Sequence, residues 1–317
     1  MCMSAGEHVA GPATDGGRRN RPRASVVILT YQNFDGLWQT LETVARQRYG
    51  DLEVLISDDS SASFPQAELE QWQRDHPWLR TALRRGTANA GTVRHANLAA
   101  ACCSGTYIKF LPPGDGFRSE DAMEKLVERA QATRARILTS PSLVYVGDYQ
   151  NVKYAFPSRH RTCLLMGLPP ERLFSVLARA NIISAVGTLF HRSFFEAGGF
   201  DEAYRYLDDW PTWLSALRRG ERIEVLDTPT VYYGLDGVSN RRGTAFRSEL
   251  LREDLIRCYE KEIFPYQSRL SPLTRWFANY HYGELTGRES AACGLGYFPV
   301  KLYCQLKGWV KGLVTSK

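Results

Sequence analysis

The stretch SVVILTYQN, residues 25–33, decides the fold that this sequence predicts. Its first part, SVVILT (25–30), is an apolar run without the alternation of a half-exposed strand. Such a run predicts a strand that is covered on both faces, as in the centre of a parallel sheet. The polar residues of TYQN (30–33) then place the end of this strand at a polar edge.

Helical and strand patterns alternate after this run. Leu37, Leu41 and Val44 share one stripe of helical spacing, which predicts a helix before the strand LEVLI (52–56). Further strands are expected at YIKFL (107–111) and RILTS (136–140), with helices near 65–76, 92–103 and 120–133. Strands that alternate with helices predict βαβ units, and therefore an α/β fold with a Rossmann-like, mostly parallel central sheet flanked by helices.

Polar residues follow three of the predicted strands at the point where each one ends. They are Thr30 to Asn33, the pair Asp58 and Asp59, and the segment Pro112 to Asp115. Ligands of open α/β sheets bind at the carboxyl ends of the strands, so these residues predict a site. Each stretch is also typical of ordinary turn and helix-cap chemistry, and that alternative stays open at this point.

The composition is that of an ordinary soluble domain and favours no nucleic-acid partner. The chain has 317 residues, of which 44% are hydrophobic and 23% charged, with a net charge of +6. It carries neither the aromatic signature of an RNA-binding module nor paired Cys/His finger spacing. Seven cysteines without CxxC pairs predict reduced thiols in a cytoplasmic protein, and no apolar run is long enough to span a membrane.

Three segments are expected along the chain. Residues 1–23 are rich in Gly, Pro and Arg and predict a disordered leader. The α/β domain is expected over residues 24–243. A helical C-terminal extension is expected over residues 244–317. The end of that extension, YFPVKLYCQLKGWVKGLVTSK (297–317), has four lysines and no acid. It fits either a peripheral helix on an anionic membrane surface, at the inner face of the cell membrane, or a helix packed on the domain with its lysines in water.

The motifs in their order resemble the inverting family 2 glycosyltransferases with a GT-A fold. SVVILTYQN is similar to the first strand of that family, and LEVLISDDSS (52–61) to its second strand with the Asp-Asp-x-Ser ending. NAGTVRHANLAAACCSGTYIKFL (89–111) fits the pattern N-x-G-x-x-x-A-x-N followed by a strand. GGFDEAYRYLDDWPTWLSAL (198–217) resembles the Gly-Gly-Phe-Asp-Glu segment and the acidic pair that opens a helix. The resemblance covers Ala24 to Asn240.

The sequence departs from that family at three places. The family commonly ends its third strand with Asp-x-Asp-Asp, where this chain has Pro-Pro-Gly-Asp (112–115). Ala96 stands where an arginine often precedes the second Asn of the helix motif. The late His-x-x-Ser loop corresponds to Asp-Gly-Val-Ser (236–239).

The resemblance implies a nucleotide site at the ends of the first two strands. An acid of the Asp58–Asp59 pair is expected to contact the uracil of a UDP-sugar, and Asp59 is favoured. Thr30 and Tyr31 lie at the adjacent strand end. Arg94 and Asn97, on the following helix, are further candidates for nucleotide binding, with a solvated helix face as the alternative.

The resemblance also implies a divalent cation, Mn²⁺ or Mg²⁺, that neutralises the departing diphosphate. Such a cation takes oxygen ligands and needs few carboxylates when phosphates and water complete its shell. Asp115 is the candidate anchor, and Asp236 is the candidate for a second ligand or an outer contact. A solvated turn acid is the alternative for Asp115, and an Asp-Gly turn is the alternative for Asp236.

The pair Asp208 and Asp209 opens a predicted helix and is the candidate for catalysis. Carboxylates are favoured at helix N-termini in any case, so a capping role alone would explain them. The resemblance implies that the second acid, Asp209, is the general base, while Asp208 orients the site or meets the acceptor. Direct displacement by the activated acceptor would invert the anomeric carbon.

The sequence therefore predicts an enzyme that transfers one sugar, with inversion, from a nucleotide donor to a glycan or lipid-linked acceptor. Bacterial surface-polysaccharide assembly is the setting that the resemblance implies. One alternative is a non-catalytic module that binds sugar nucleotides or glycans, and another is a sugar nucleotidyltransferase. The latter is expected to carry a Gly-rich phosphate loop after the first strand, which TYQNFDG (30–36) lacks, and the absence there of G-x-G-x-x-G disfavours a dinucleotide oxidoreductase.

Overall fold

The computed structural model describes residues 21–235 and 245–287. Three sequence predictions therefore fall outside the described residues: Asp236 as a cation ligand, the basic helix at 297–317, and the leader up to residue 20. Residues 21–23 are described and contact the domain. Arg23 makes an ion pair with Asp51 at 2.9 Å, and its carbonyl oxygen accepts a hydrogen bond from the N–H of Thr106 at 2.8 Å.

Eleven strands lie in the described ranges. In chain order they are β1 (Ala24–Thr30), β2 (Leu52–Asp58), β3 (Arg80–Arg85), β4 (Tyr107–Phe110), β5 (Gly116–Phe117), β6 (Ile137–Thr139), β7 (Ser142–Val146), β8 (Asp148–Phe156), β9 (Leu189–His191), β10 (Glu224–Val225) and β11 (Val231–Gly234). The sequence patterns predicted β1, β2, β4 and β6 close to these positions. They missed β3, because its sequence RTALRR contains three arginines and no apolar run.

Ten α-helices lie in the same ranges. They are α1 (Leu37–Ala45), α2 (Gln66–Asp75), α3 (Thr92–Cys102), α4 (Ala122–Thr133), α5 (Arg159–Gly167), α6 (Pro170–Leu177), α7 (Ser193–Glu196), α8 (Asp209–Arg218), α9 (Ala245–Cys258) and α10 (Pro272–Thr286). A π-helical turn (Tyr259–Ile263) and a 3₁₀ helix (Phe264–Arg269) join α9 to α10. No helix within 21–235 or 245–287 is long and apolar enough to cross a membrane.

The central sheet has seven strands in the order β10-β6-β9-β4-β1-β2-β3. Strand β9 runs antiparallel to its neighbours β4 and β6, and the other adjacent pairs are parallel. The prediction of a mostly parallel sheet is thus confirmed. Strand β1 lies between β2 and β4, so the polar ends of these three strands meet at one edge of the sheet.

Strand β1 is buried on both faces, as its apolar run predicts. Val26 and Ile28 pack in a cluster with Leu41 of α1 and Met123 of α4 on one side of the sheet. Val27 packs on the other side, in a cluster with Ala99 of α3. Full burial of such a side chain contributes about 1.5–3 kcal/mol each, which holds the strand between two helical layers.

A second sheet of four strands, in the order β5-β11-β7-β8, lies directly after the Pro-Pro-Gly-Asp segment. Strand β5 begins one residue after Asp115 and pairs antiparallel with β11. The segment is therefore a junction between the two sheets. Its backbone must turn sharply, and Gly114 adopts a φ of +92°.

The C-terminal helices share the main hydrophobic core with α6 and α8. Cys258 at the end of α9, Ile263 and Ala278 of α10 are buried in one cluster with Phe174 of α6 and Trp213 of α8. The predicted border at residue 243 lies outside the described residues. The part of the extension that is described packs as an integral layer of the domain.

Thr40 of α1 fastens the Pro-Pro-Gly-Asp segment to the first helix. Its hydroxyl accepts a hydrogen bond from the N–H of Gly114 at 2.9 Å and donates to the carbonyl oxygen of Asp115 at 2.6 Å. The chains approach so closely here that a Cβ on Gly36 would lie 2.6 Å from the Cα of Gly114. The contact requires glycine at position 36, the φ of +92° favours glycine at position 114, and Thr40 provides partners for the buried polar groups between them.

We expect Thr40→Val, which preserves shape but removes the hydroxyl, to lower the free energy of unfolding by about 1–3 kcal/mol, because a buried N–H and a buried C=O lose their partner. Chemical denaturation measures this loss. Thr133→Val is the control, since that hydroxyl donates to a carbonyl of its own helix, and it should change stability by less than about 0.5 kcal/mol. Equal denaturation midpoints for the two variants would contradict the role given to Thr40.

Candidate active site

Thr30 and Asp58 lie side by side at the ends of β1 and β2. They are opposite each other in the parallel register, and the Thr30 hydroxyl donates to Oδ1 of Asp58 at 3.0 Å. Oδ2 of Asp58 accepts the N–H of Ser61 at 2.9 Å and lies 3.5 Å from Nε of Arg85. Asp58 is fully buried, so its carboxylate stabilises the loop after β2, while Tyr31, next to Thr30, stands 38% exposed at the rim of the same edge.

Asp59 binds the loop that leads into α3. Its carboxylate accepts hydrogen bonds from Nδ2 of Asn89 at 3.0 Å, from the N–H of Ala90 at 2.9 Å and from the N–H of Gly91 at 3.1 Å. Asp59 is buried as well. A carboxylate has about four lone-pair sites, so a further donor such as a base N–H would join an already organised acceptor.

Helix α3 turns different side chains toward the sheet from those that the sequence motif indicated. Both polar atoms of Asn97 bond to the backbone of Phe200, at 2.8 and 2.9 Å. Arg94 is exposed and lies 3.9 Å from Glu202. His95 is the buried one: its Nε2 lies 2.8 Å from Oγ of Ser57 in β2, and burial lowers its pKa. The structure thus joins Arg94 and Asn97 to the 199–202 loop.

Asp115 is a buried acid beside a buried lysine. Oδ1 accepts the N–H of Gly234 in β11 at 2.9 Å. Burial raises the pKa of Asp115 to about 7, although the N–H of Gly234 and the charge of Lys109 both lower it. Lys109, in the middle of β4, is fully buried, and burial lowers its pKa to about 7; its ammonium group donates to the carbonyl oxygen of Val186.

Several oxygens of the Asp115 segment already accept hydrogen bonds from other described residues. The carbonyl oxygen of Gly114 accepts hydrogen bonds from the hydroxyls of Tyr145 and Tyr149, and Oδ1 of Asp115 is bonded to Gly234. The neighbouring ammonium group of Lys109 would repel a second cation. No cluster of three His, Cys, Asp or Glu side chains suitable for a metal occurs among the described residues. The role of Asp115 as the cation anchor stays a prediction, because the second candidate ligand, Asp236, lies outside the described residues.

Asp208 and Asp209 lie at the start of α8 in half-buried positions. Oδ2 of Asp209 accepts a hydrogen bond from Nδ2 of Asn181 at 2.6 Å, and Oδ1 accepts the N–H of Trp210 at 2.6 Å. The Asp208 side chain makes no capping hydrogen bond to the helix. Asp209 thus binds one N–H of the first helical turn, and a catalytic role for the pair is a proposal that is developed below.

The two carboxyl groups have raised pKa values with a shared main cause. Burial raises the pKa of Asp208 to about 7, and the charge of Asp209 adds to this effect. Burial also raises the pKa of Asp209, against the hydrogen bonds from Trp210 and Asn181 that lower it. Adjacent carboxyls whose pKa values are raised by burial can accept a proton from a hydroxyl and are typical of functional sites.

Three residues that the sequence patterns did not single out belong to this region. Lys109 was readable as the charge inside the apolar strand YIKFL, but not as a buried one. His95 lies next to the motif residues in the sequence. Only the rotation of α3 about its axis, which the fold sets, turns its side chain toward β2. Asn181 gave no signal, because its partner Asp209 is 28 residues away and the contact exists only after folding.

A comparison with protein families matches residues 25–199, more than half of the chain, to Glycosyl transferase family 2. Among curated relatives, the chain is similar to a processive diacylglycerol beta-glycosyltransferase of Mycoplasma pneumoniae, at 21% identity over 225 residues, which are 67% of this chain and 63% of the relative. It is also similar to the succinoglycan biosynthesis protein ExoO of Rhizobium meliloti, at 27% over 207 residues, which are 64% and 58%. The matches thus span about three-fifths of the length of these relatives.

Solved structures share the fold. S. aureus TarS 1–349 in complex with UDP-GlcNAc has 15% sequence identity and a TM-score of 0.55, over 83% of this chain and 80% of that chain. The mannosyltransferase PcManGT from Pyrobaculum calidifontis in complex with GDP-Man and Mn²⁺ has 17% identity and a TM-score of 0.56, over 93% and 84%. The fold is that of GT-A glycosyltransferases. The chain belongs to glycosyl transferase family 2.

We expect Asp209→Asn to lower the pKa of Asp208 from about 7, because the neighbouring negative charge disappears while burial remains. The pKa should stay above the ordinary value for an aspartate. Carboxyl ¹³C NMR across a pH series measures the change, with exposed Asp227→Asn as the matched control. An Asp208 titration that is the same in wild type and Asp209→Asn would rule out the coupling.

Proposed function

We propose that this protein transfers one sugar, with inversion, from a UDP-sugar to a glycan or lipid-linked acceptor in bacterial surface-polysaccharide assembly. The family membership supports glycosyl transfer. The similarity to proteins whose names specify a diacylglycerol glycosyltransferase and succinoglycan biosynthesis supports the acceptor class and the setting. The fold shared with a UDP-GlcNAc complex supports the donor.

The carboxyl pair at the start of α8 is the observation that carries the proposal. Asp209 is the proposed base, with Asn181 and the N–H of Trp210 fixing its two oxygens. Burial raises the pKa of Asp209, which increases the affinity of this carboxylate for the proton of the acceptor hydroxyl. The family match ends at residue 199, so this assignment stands on the sequence motif and on the geometry of the pair.

The proposed reaction is a single displacement. The Asp209 carboxylate takes the proton of the acceptor hydroxyl while that oxygen forms a bond to the anomeric carbon of the sugar. The bond between this carbon and the phosphate oxygen breaks, and the nucleoside diphosphate leaves with the electron pair. Attack opposite to the leaving group inverts the anomeric configuration. Asp208 lies next to the base, and the negative charge of Asp209 helps to raise the pKa of Asp208.

The donor is proposed to bind at the edge formed by β1 and β2. Asp59 would receive the base N–H, next to Thr30, Asp58 and the exposed ring of Tyr31. Arg94 and Asn97 remain proposals without a described contact to this edge. The free thiols of Cys102, Cys103, Cys163 and Cys258 agree with a reaction in the reducing cytoplasm.

A second candidate function is a binding module without turnover. The residues that favour it are Pro112 and Gly114, which stand where relatives are expected to carry acids, and the enclosed Asp115 beside Lys109. Incubation with a panel of UDP-sugars and acceptors separates the two functions. Product with inverted anomeric configuration by NMR supports transfer, whereas donor binding by thermal shift without product supports the module.

We expect Asp209→Asn to lower kcat for transfer by about 10²–10⁴-fold, because the acceptor hydroxyl loses its base. Donor binding, measured by thermal shift with UDP, should remain as in the wild type. Asp227→Asn, an exposed acid, is the control and should retain full activity. Full turnover of Asp209→Asn with the natural acceptor would refute the base assignment.

The predicted cation is tested separately, since no ligand set for it is described. With family relatives as the guide, we propose that Mn²⁺ or Mg²⁺ supports transfer and that EDTA lowers the rate. The PcManGT complex contains Mn²⁺, which is the observation behind this proposal. The measurement is transfer rate against Mn²⁺ concentration, with EDTA-treated enzyme as the reference. An EDTA-resistant rate that Mn²⁺ does not raise would contradict it.

A further inference from the structure

One carboxylate oxygen holds the three residues that precede the proposed base pair. Oδ2 of Asp254 accepts hydrogen bonds from the backbone N–H groups of Arg205 at 2.9 Å, Tyr206 at 2.7 Å and Leu207 at 3.1 Å. The next residue in the chain is Asp208. Asp254 belongs to α9, beyond the residues that match the family, and it is 3% exposed.

This arrangement fixes a segment that has no regular structure of its own. The residues before α8 form neither helix nor strand, so their N–H groups need partners from elsewhere in the fold. Hydrogen bonds from N–H groups to an ionised carboxylate are roughly twice as strong as neutral ones. Three of them on one buried oxygen restrict the position and the entry angle of Asp208 and Asp209.

The end of α9 and the turn after it also lie close to the carboxyl pair. Cys258, one helical turn after Asp254, is fully buried, and its thiol pKa is raised by burial and by the nearby charges of Glu262, Asp209 and Asp254. The ring of Tyr259 packs edge-on against Trp210, with ring centroids 5.5 Å apart. Helix α9 and the turn after it therefore contact both the segment before the pair and the residue after it.

The segment is also tied to the proposed donor side. The carbonyl oxygen of Arg205 accepts the N–H of Val93 at 3.2 Å, and Nη2 of Arg205 donates to Oδ1 of Asn89 at 3.0 Å. Asn89 is itself bound by Asp59. A continuous series of hydrogen bonds thus runs from the loop at the end of β2, through Arg205, to Asp254.

We propose that Asp254 is a positioning residue for the base, and that α9 is part of the catalytic unit of this enzyme. The proposal rests on the proposed function, in which Asp209 receives the proton of the acceptor. Without the Asp254 carboxylate the segment 205–207 loses its anchor, the carboxyl pair moves toward water, and the base no longer meets the acceptor hydroxyl at the required distance. Small displacements of a catalytic group lower the rate strongly.

The test compares Asp254→Ala and Asp254→Asn with Glu253→Gln, which alters the adjacent exposed acid of the same helix. We expect kcat for transfer to fall at least about tenfold in Asp254→Ala, with the KM for the donor changed less than about twofold. Asp254→Asn should lie between Asp254→Ala and the wild type, because its amide oxygen can still accept N–H groups. Glu253→Gln should match the wild type.

The pH profile separates positioning from a general loss of folded protein. In the wild type the base must be deprotonated, so kcat/KM falls as the pH drops below the titration of the pair. In the Asp254 variants the carboxyl pair is better hydrated, which lowers its pKa. The fall of kcat/KM at acid pH, which is the acid limb of the profile, therefore moves to lower pH. A role in stability alone would reduce the active fraction and the melting temperature and would leave the limb in place.

The outcomes distinguish this proposal from the proposed function. A wild type that transfers sugar, with Asp254 variants of unchanged kcat or an unmoved acid limb, overturns the positioning role and leaves the function standing. A wild type without transfer to any acceptor overturns the proposed function. If Asp254→Ala does not fold, Asp254→Asn carries the comparison. Amide hydrogen exchange on the wild type adds a second measurement, and rapid exchange at 205–207 would also overturn the proposal.

Discussion

The parallel pairing of β1 with β2 is the constraint on which the rest of the site depends. The register runs without interruption from Ala24 opposite Leu52 to Thr30 opposite Asp58. Both strands therefore end at the same level, and the polar residues that follow them are adjacent. Burial of β1 on both faces prevents a slip of this register, because a shift by one residue would exchange the side chains of its two faces.

Buried acids around the proposed site serve two different purposes. Asp58, Asp59 and Asp254 accept hydrogen bonds from backbone N–H groups, and they hold loops that have no secondary structure. Asp208 and Asp209 are instead adjacent, and burial raises the pKa of both, with the charge of Asp209 adding to the effect at Asp208. Backbone N–H donors stabilise the charged form of a buried carboxylate, whereas a buried pair of acids has raised pKa values and a greater affinity for protons.

Much of the site could be predicted from local pattern, and the exceptions have a common physical origin. The apolar run of β1, the acids after β2 and the acidic pair before α8 are all readable in the sequence, because each depends on neighbours within a few residues. The setting of Asp115 was not readable. Its enclosure by Gly234, the two tyrosine hydroxyls on Gly114 and the charge of Lys109 come from four different places in the chain.

The sequence by itself determined the α/β layering, the strands that end in polar residues and the family to which the chain belongs, since periodicity and short motifs are local properties. Only the tertiary structure decided which side chain of α3 faces β2 and which oxygen receives the N–H groups before Asp208. It also decided that α9 and the turn after it contact the residues on either side of the proposed pair. These choices depend on contacts between residues tens of positions apart, whose geometry is set by the packing of the whole core.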